Sequence, residues 1–132
     1  MQEALDLAVN GTLMRGLELN RNLLAVGATF LKEDTTEAAY RLWSIDDRHP
    51  AMLRVAQGGA AIAVEVWRVP LSGIGLLLLQ EPPGLCVGRV CLSNGAVVLG
   101  VLAEPILCEN KVEITHWRGW HAYMQSLAES KN

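Results

Sequence analysis

Turn-forming clusters cut the apolar part of this sequence into short segments. The clusters combine glycine, proline, asparagine and aspartate, which either fix or free the backbone angles that a reversal needs. They are Asn10-Gly11, residues 46–50 (DDRHP), residues 57–59 (QGG), residues 81–84 (EPPG) and residues 93–95 (SNG). The spacing of these clusters predicts a fold assembled from many short strands and a few short helices.

The segment with the clearest strand pattern is residues 62–69 (IAVEVWRV). Alternation places Ile62, Val64, Val66 and Arg68 on one face, and Ala63, Glu65, Trp67 and Val69 on the other. Further strands are predicted over residues 5–9, 28–32, 40–45, 52–56, 85–92 and 96–101. The last two form a hairpin around the SNG turn.

Three helices are predicted between these strands. Asn20 caps a short helix over residues 21–26, and Pro70 opens a second helix over residues 71–79 that the two prolines at 82 and 83 end. The apolar positions 120, 123, 124 and 127 follow helical spacing and predict a C-terminal helix. The sequence therefore predicts one α+β domain over residues 1–132, a small mixed and largely antiparallel β-barrel with two or three short helices.

Composition excludes several classes of protein. The chain has 132 residues, of which 51% are hydrophobic and 19% charged, a composition that argues against disorder. A net charge of −3 provides no basic surface for nucleic acid or an anionic membrane. The longest apolar run, residues 74–79, is too short for a membrane span, and the N-terminus has no signal-peptide pattern. We expect a cytoplasmic protein whose apolar excess fills its core, and a homo-oligomer interface is the alternative use for part of that excess.

Cysteine and histidine spacing gives no metal signature. The three cysteines contain no C-x-x-C pair, and we expect them to be reduced and packed as small apolar residues. No H-x-x-x-H pair is present, so we expect neither a metal nor a cofactor. His49 lies in the polar turn before Pro50 and is predicted to be solvated. Trp43, Trp67 and Trp120 are predicted core residues, and Trp117 could line the mouth of a pocket.

Two segments could carry chemistry. In residues 10–16 (NGTLMRG), Gly11 permits close approach of a ligand, and the N–H groups that follow it could bind a carboxylate or an amide. An ordinary connection between a strand and a helix explains the same pattern. Glu81 follows four leucines and Gln80, and a partly buried carboxyl there would have a raised pKa suited to acid–base catalysis. A solvated glutamate at a helix end is the alternative.

Two other charged residues need a role. Glu65 alternates with apolar residues inside a predicted strand, and if it faces the core it needs a partner such as Arg41, Arg54 or Arg68. Arg15 ends the NGTLMR segment and is the favoured candidate for recognising an anion.

The segment LAVNGTLMRG (7–16) resembles the N-terminal signature of the γ-glutamylcyclotransferase-like superfamily. In that family a strand leads into a loop that holds the substrate. Gly11, Thr12, Leu13 and Met14 match this loop, and Asn10 replaces its tyrosine. The resemblance implies that residues 10–15 (Asn10, Gly11, Thr12, Leu13, Met14 and Arg15) bind substrate. It also aligns Glu81 with the family's catalytic glutamate.

A broader resemblance, from residue 7 to residue 127, is to the C-terminal domain of allophanate hydrolase and its stand-alone relatives. The matching segments include GTLMRGLELNRNL (11–23), LRVAQGGAAIAVEVWRVP (53–70) and PPGLCVGRVCLSNGAVVLGVLAE (82–104). In the full-length enzyme this domain is thought to decarboxylate the product of an amidase domain. Thr12 takes the place of that domain's proposed catalytic histidine, and threonine is no base near neutral pH.

Two hypotheses about function follow from these patterns. The chain is an enzyme for a small amide or γ-glutamyl compound, of the cyclotransferase type, with Glu81 as general acid and base. Alternatively, it is a non-catalytic module that binds a metabolite or assembles with other chains. Decarboxylation is a less favoured enzymatic activity, because Thr12 replaces the histidine.

Overall fold

The computed structural model describes residues 3–130, which form eight strands and three α-helices. The strands are β1 (Ala4–Val9), β2 (Thr29–Thr35), β3 (Tyr40–Ile45), β4 (His49–Arg54), β5 (Ala63–Pro70), β6 (Leu85–Cys91), β7 (Val97–Ala103) and β8 (Val112–Glu113). The α-helices are α1 (Asn20–Ala25), α2 (Leu71–Leu79) and α3 (Trp120–Ser130). Two short 3-10 helices cover Pro105–Cys108 and Thr115–Trp117.

The strands form two sheets. The larger sheet has the order β2-β5-β1-β7-β6, and the smaller has the order β4-β3-β8. Among the strands of residues 3–130, β1 and β7 form the one parallel pair, and the other pairs are antiparallel. The prediction of a mixed, largely antiparallel α+β fold is therefore confirmed.

The predicted closure into a barrel is wrong. The residues that follow the two edge strands of the larger sheet meet in a single bridge, between Thr36 and Leu92. A barrel requires continuous pairing around its circumference. Here one bridge replaces that pairing, and β3, β4 and β8 pair with one another in a separate sheet.

One hydrophobic core joins the sheets and the helices. It receives Leu23 from α1, Leu77 from α2, and Trp120 and Tyr123 from α3, together with Trp67 from β5. The predicted burial of Trp67 and Trp120 is confirmed, and Trp43 is partly buried in a smaller cluster. The core accounts for much of the aliphatic composition, because each helix covers it with apolar side chains.

Two predicted boundaries are wrong, the end of strand β2 and the start of helix α1. Strand β2 continues to Thr35 instead of ending at Lys32, because Glu33, Asp34 and Thr35 pair with β5. An edge strand tolerates polar side chains on its solvent face. Asn20 is not the N-cap of α1. It is the first helical residue after Leu19, and its Nδ2 donates to the carbonyl of Leu13 over 2.8 Å.

The turn between β3 and β4 is also shorter than predicted. Asp46 and Asp47 adopt left-handed φ angles of 55° and 58°, which reverses the chain in little space. Strand β4 consequently begins at His49, which pairs with Ile45. His49 is buried, with 8% of its surface exposed, so its predicted solvation is wrong.

Candidate active site

Three separate parts of the chain meet beyond the end of β1. They are the loop after β1, the residue that follows the C-cap of α2, and the start of β4. They enclose a small cavity of about 10 Å³, which holds about one water molecule. It is lined by Val9, Asn10, Gly11, Thr12, Leu13, His49, Pro50, Glu81, Leu85 and Val101. Glu81 and most of the predicted substrate loop therefore share one cavity.

The loop is shaped by tight turns and by a close approach to β4. The Met14 amide donates to the carbonyl of Gly11 over 2.9 Å, and the Leu19 amide donates to the carbonyl of Thr12 over 2.9 Å. A Cβ atom on Gly11 would overlap the ring of Pro50, so this position requires glycine.

The amides of Gly11, Thr12 and Leu13 make no hydrogen bond within residues 3–130. Consecutive free N–H groups in a turn can bind an anionic or carbonyl oxygen. The ligand-binding role of the loop stays a prediction, for which these amides are the available groups.

Asn10 serves the fold at the rim of the cavity. It is buried, and its Nδ2 donates to the carbonyl of Val101 over 2.9 Å and approaches the Met52 sulfur at 3.8 Å. Its amide nitrogen thus connects the end of β1 to β7 and β4, and it is already occupied before any ligand binds.

Glu81 is positioned by the end of α2. The helix contains no charged residue, and the backbone amide of Glu81 still donates to the carbonyl of Leu78 over 3.1 Å. Pro82 and Pro83 then prevent further helix, and Gly84 turns the chain with a φ of 90°. The side chain is thus held beside the apolar wall that α2 presents, which includes Leu77 and Leu78.

The carboxyl group of Glu81 lacks a hydrogen-bond partner on one side. Its Oε1 is buried and has no hydrogen-bond partner. Every other buried side-chain oxygen or nitrogen within residues 3–130 has one. Burial among apolar side chains disfavours the charged form, and it raises the pKa of Glu81 from 4.5 to about 7. A carboxyl with that pKa can both accept and donate a proton near neutral pH.

A larger groove opens outward from this point. It has a volume of about 520 Å³, and Thr12, His49 and Glu81 line both this groove and the inner cavity. The other residues that line the groove are Glu18, Leu19, Ile45, Asp46, Arg48, Gln80, Pro82, Pro83 and Leu107. The groove is large enough for a small metabolite, and Glu81 lies where groove and cavity meet.

The structure places the end of the predicted substrate loop elsewhere. Met14 is buried in the core. Arg15 Nε lies 3.1 Å from Glu65 Oε2, its Nη2 lies 2.8 Å from Glu33 Oε1, and its guanidinium stacks 3.7 Å over the ring of Phe30. Two carboxylates therefore neutralise Arg15 outside the Glu81 cavity, and nothing in this arrangement supports its predicted role in anion recognition.

Glu65 faces the core, with a partner that the sequence did not indicate. Its Oε1 accepts from the Arg15 amide at 2.9 Å and from the Trp67 indole at 3.1 Å, and its Oε2 accepts from Arg15 Nε. The predicted partners Arg41, Arg54 and Arg68 are wrong. Arg15 was missed because it is remote in sequence and becomes adjacent only when β1 pairs with β5.

His49 is the site residue that sequence reasoning missed. Its Nδ1 lies 3.0 Å from the carbonyl oxygen of Pro50. The sequence signal that was available is the apolar segment 51–53 directly after Pro50, which continues the strand and draws His49 into its first position.

A second groove, of about 570 Å³, lies away from Glu81. Trp117 lines it, in agreement with the pocket-mouth location considered for this residue, and so do Trp120, Glu33, Asp34 and Glu65. These carboxylates are paired with Arg15 or Lys32, and the pKa of Asp34 is lowered chiefly by its hydrogen bond to Lys32. Each of these three carboxylates is therefore already paired with a cation.

The cysteines are poor candidates for nucleophiles. Burial raises the pKa of the Cys108 thiol to about 11, and burial together with Glu104 raises the pKa of Cys86. Both thiols are thus protonated near neutral pH, whereas nucleophilic attack needs the thiolate.

Within residues 3–130, no three histidine, cysteine or acidic side chains are grouped as a metal site would require. No helix in the same range is both long and apolar enough to cross a bilayer.

Replacing Glu81 with glutamine should stabilise the protein at high pH only. The folded-state pKa of about 7 exceeds the ordinary 4.5, so the ionised carboxylate destabilises the folded state, and protonation relieves this as the pH falls from 7 to 4.5. Full burial would make the penalty about 3 kcal/mol, and access of water from the groove reduces it to about 1–2 kcal/mol. Urea denaturation should show Glu81→Gln more stable than wild type at pH 8 and equal to it at pH 4. A constant difference at both pH values would contradict the burial of this charge.

Comparison with known proteins identifies the family. The model of the allophanate hydrolase C-terminal domain matches residues 5–125. A uropathogenic E. coli-specific protein of known crystal structure is 52% identical, with a TM-score of 0.92 over 93% of this chain and 97% of that chain. The allophanate hydrolase of Kluyveromyces lactis is 29% identical, with a TM-score of 0.89 over 95% of this chain and 22% of that chain.

The urea amidolyase of Saccharomyces cerevisiae is 30% identical over 136 residues, which cover 98% of this chain. The chain spans only 7% of the length of that curated relative. A γ-glutamyl cyclotransferase structure, at 14% identity and a TM-score of 0.55, shares the fold alone. The resemblance to the allophanate hydrolase C-terminal domain is thus confirmed, the fold is shared with a γ-glutamyl cyclotransferase, and the chain belongs to the allophanate hydrolase C-terminal domain family.

Proposed function

We propose that this chain is an enzyme that moves protons on a small amide-containing metabolite, with Glu81 as general acid and base. The observation that carries the proposal is the buried, unpaired Oε1 of Glu81 in the same cavity as the loop of Gly11, Thr12 and Leu13. An unpaired buried carboxyl destabilises a protein, and such groups are concentrated at functional sites.

The loop and the groove have separate parts in this proposal. The free amides of Gly11, Thr12 and Leu13 bind the oxygen of the reacting carbonyl and stabilise the negative charge that develops on it. The inner cavity is too small for a metabolite, so the body of the substrate occupies the outer groove. The reacting atoms then lie at the mouth of the cavity, beside Glu81.

A γ-glutamyl amide illustrates the chemistry. The carboxylate of Glu81 takes a proton from the substrate's α-amine as the nitrogen attacks the γ-carbonyl carbon. A carbon–nitrogen bond forms in the ring and the amide bond to the leaving group breaks. Glu81 returns its proton to the leaving nitrogen, and the products are 5-oxoproline and a free amine. Proton transfer of this kind contributes about 10²–10⁴-fold to the rate.

The comparisons support a choice of test compounds. The fold likeness to a γ-glutamyl cyclotransferase suggests γ-glutamyl amines, and the names of the allophanate hydrolase and urea amidolyase relatives suggest allophanate. Thr12 occupies the position aligned with the histidine implied for the hydrolase domain, so we propose γ-glutamyl and related amides before allophanate.

The test is an assay of the purified full chain on a panel of γ-glutamyl amines, other small amides and allophanate. Product amine, 5-oxoproline and carbon dioxide are measured separately, so that cyclisation and decarboxylation are distinguished. We expect release of amine from at least one γ-glutamyl compound, together with an equal amount of 5-oxoproline. Carbon dioxide from allophanate alone would overturn the proposed chemistry, and turnover of no compound would favour the non-catalytic alternative.

The second candidate is a non-catalytic module that binds a metabolite or assembles as an oligomer. It is favoured by the exposed leucines of α2, among which Leu79 is 84% exposed and Leu71 and Leu76 are about half exposed. A helix without charge that leaves such residues open is typical of an interface. Light scattering after size-exclusion chromatography distinguishes the cases, since a strictly monomeric chain removes the assembly argument.

A further inference from the structure

The chemistry proposed above requires more proton acceptors than Glu81 provides. An α-ammonium group carries three protons, and the nitrogen of the product ring keeps one. Two protons must therefore leave this nitrogen, while the leaving nitrogen takes up only one within the bond-breaking step. A single carboxyl group holds one proton at a time, so a second base in the site would complete the transfer.

We infer that His49 is this second base, and that its Nε2 takes the first proton from the substrate's α-ammonium group. His49 lines both the inner cavity and the outer groove, as Glu81 does. It is held there by β4, whose first residue it forms. The inference rests on the proposed function, since it assigns a step of the same reaction.

The hydrogen bond of His49 determines which ring nitrogen is available. The carbonyl of Pro50 can only accept, so Nδ1, at 3.0 Å, must carry a proton and donate it. In the neutral ring Nε2 then has the free lone pair. Nε2 has no hydrogen-bond partner within residues 3–130, and it is not among the fully buried unpaired atoms of that range.

Several charged groups line the groove together with His49. They are Glu81 beyond α2, Asp46 and Arg48 from the β3–β4 turn, and Glu18 from the loop before α1. Asp46 pairs with Lys111 at 2.9 Å. The lining of the groove thus includes the acidic residues Glu18, Asp46 and Glu81 and one arginine, Arg48.

The order of transfers follows from these positions. Nε2 of His49 removes one proton from the α-ammonium group, which leaves a neutral and nucleophilic amine. Glu81 removes the second proton as this amine attacks the carbonyl carbon, and it then protonates the leaving nitrogen. The imidazolium of His49 loses its proton to solvent through the groove, and the site returns to its starting state.

Two substitutions separate the base from the structural hydrogen bond. In His49→Asn the amide nitrogen takes the place of Nδ1, so the bond to Pro50 is kept and Nε2 is lost. In His49→Gln a polar atom remains near Nε2 without being a base. His116→Asn, at an exposed histidine outside both spaces, is the control. The assay is the pH profile of kcat/KM on a γ-glutamyl amine turned over by wild type.

We expect both His49 variants to lose at least about 10-fold in kcat/KM at pH 7, and to recover toward pH 9, where the substrate amine arrives neutral. Glu81→Gln should not recover, because its step is still required. A His49→Asn variant as active as wild type, beside an inactive Glu81→Gln, would overturn the inference and leave the proposed function standing. An equal loss at every pH would make His49 merely structural. Should wild type turn over no γ-glutamyl amine, the proposed function fails and this inference fails with it.

A readout without substrate adds an independent test. Nitrogen NMR of labelled histidine, at a pH where the ring is neutral, should show the proton of His49 on Nδ1. A proton on Nε2 in that form would contradict the inference whatever the assays give.

Discussion

The Glu81→Gln variant should lose about 10²–10⁴-fold in kcat/KM on any γ-glutamyl amine that wild type turns over. Glutamine keeps the size and shape of the side chain but can neither accept nor return a proton. Since the variant removes a buried unpaired acid, it should fold at least as well as wild type above pH 7. The loss of turnover is then due to chemistry and not to a damaged fold.

The matched control for this variant is Glu109→Gln. Glu109 is exposed and lies outside the cavity and the groove, so the same chemical change there should leave kcat/KM unchanged. Steady-state kinetics on both variants, with circular dichroism to compare their folding, make the measurement. Turnover by Glu81→Gln within about threefold of wild type would show that Glu81 is not the acid–base group.

The second large effect is expected at Glu65, which accepts a hydrogen bond from the amide of Arg15 at the end of the loop. Replacing Glu65 with alanine should lower the free energy of unfolding by about 3 kcal/mol. Glu65 is only 4% exposed, and it accepts hydrogen bonds from Trp67 Nε1 and from the amide and Nε of Arg15. Without it, buried donors lose their partners, at about 1–3 kcal/mol for each unsatisfied group.

Glu33→Ala is the control for the Glu65 prediction. Glu33 also pairs with Arg15, at 2.8 Å, but its side chain is 77% exposed, so its loss should alter the free energy of unfolding by less than about 1 kcal/mol. Urea denaturation of both variants tests the difference. Equal effects would mean that burial of Glu65 does not matter. Because Glu65 binds the amide of Arg15, directly after the loop, its loss should also reduce turnover.

Much of the fold follows from local patterns. The turn clusters and the alternation of residues 62–69 located β3, β5, α2 and the β6–β7 hairpin within a few residues. The errors have nonlocal causes. Closure of the sheet depends on how far its edges curl, and the continuation of β2 through polar residues depends on pairing with β5. Neither the closure of the sheet nor the extension of β2 can be predicted from local sequence patterns.

The candidate site was predicted in part. The apolar helix and two prolines around Glu81 indicated a carboxyl held against an apolar wall, and the structure places it there with the start of the loop. The sequence did not predict the environments of Arg15 and His49: Arg15 was expected to recognise an anion, and His49 was expected to be solvated. Each depends on contacts between segments that are distant along the chain, namely Arg15 with Glu65, and His49 with the end of α2.

Glu81 is a partly buried carboxyl, and the role that we propose for it requires a proton that exchanges near neutral pH. Carbon-13 NMR of the side-chain carboxyl, titrated from pH 3 to pH 9 and assigned by comparison with Glu81→Gln, measures this directly. We expect a midpoint at about 7, because the apolar surroundings disfavour the charged form. A midpoint at the ordinary 4.5 would show a solvated carboxylate at a helix end, and it would contradict the role that we assign to Glu81.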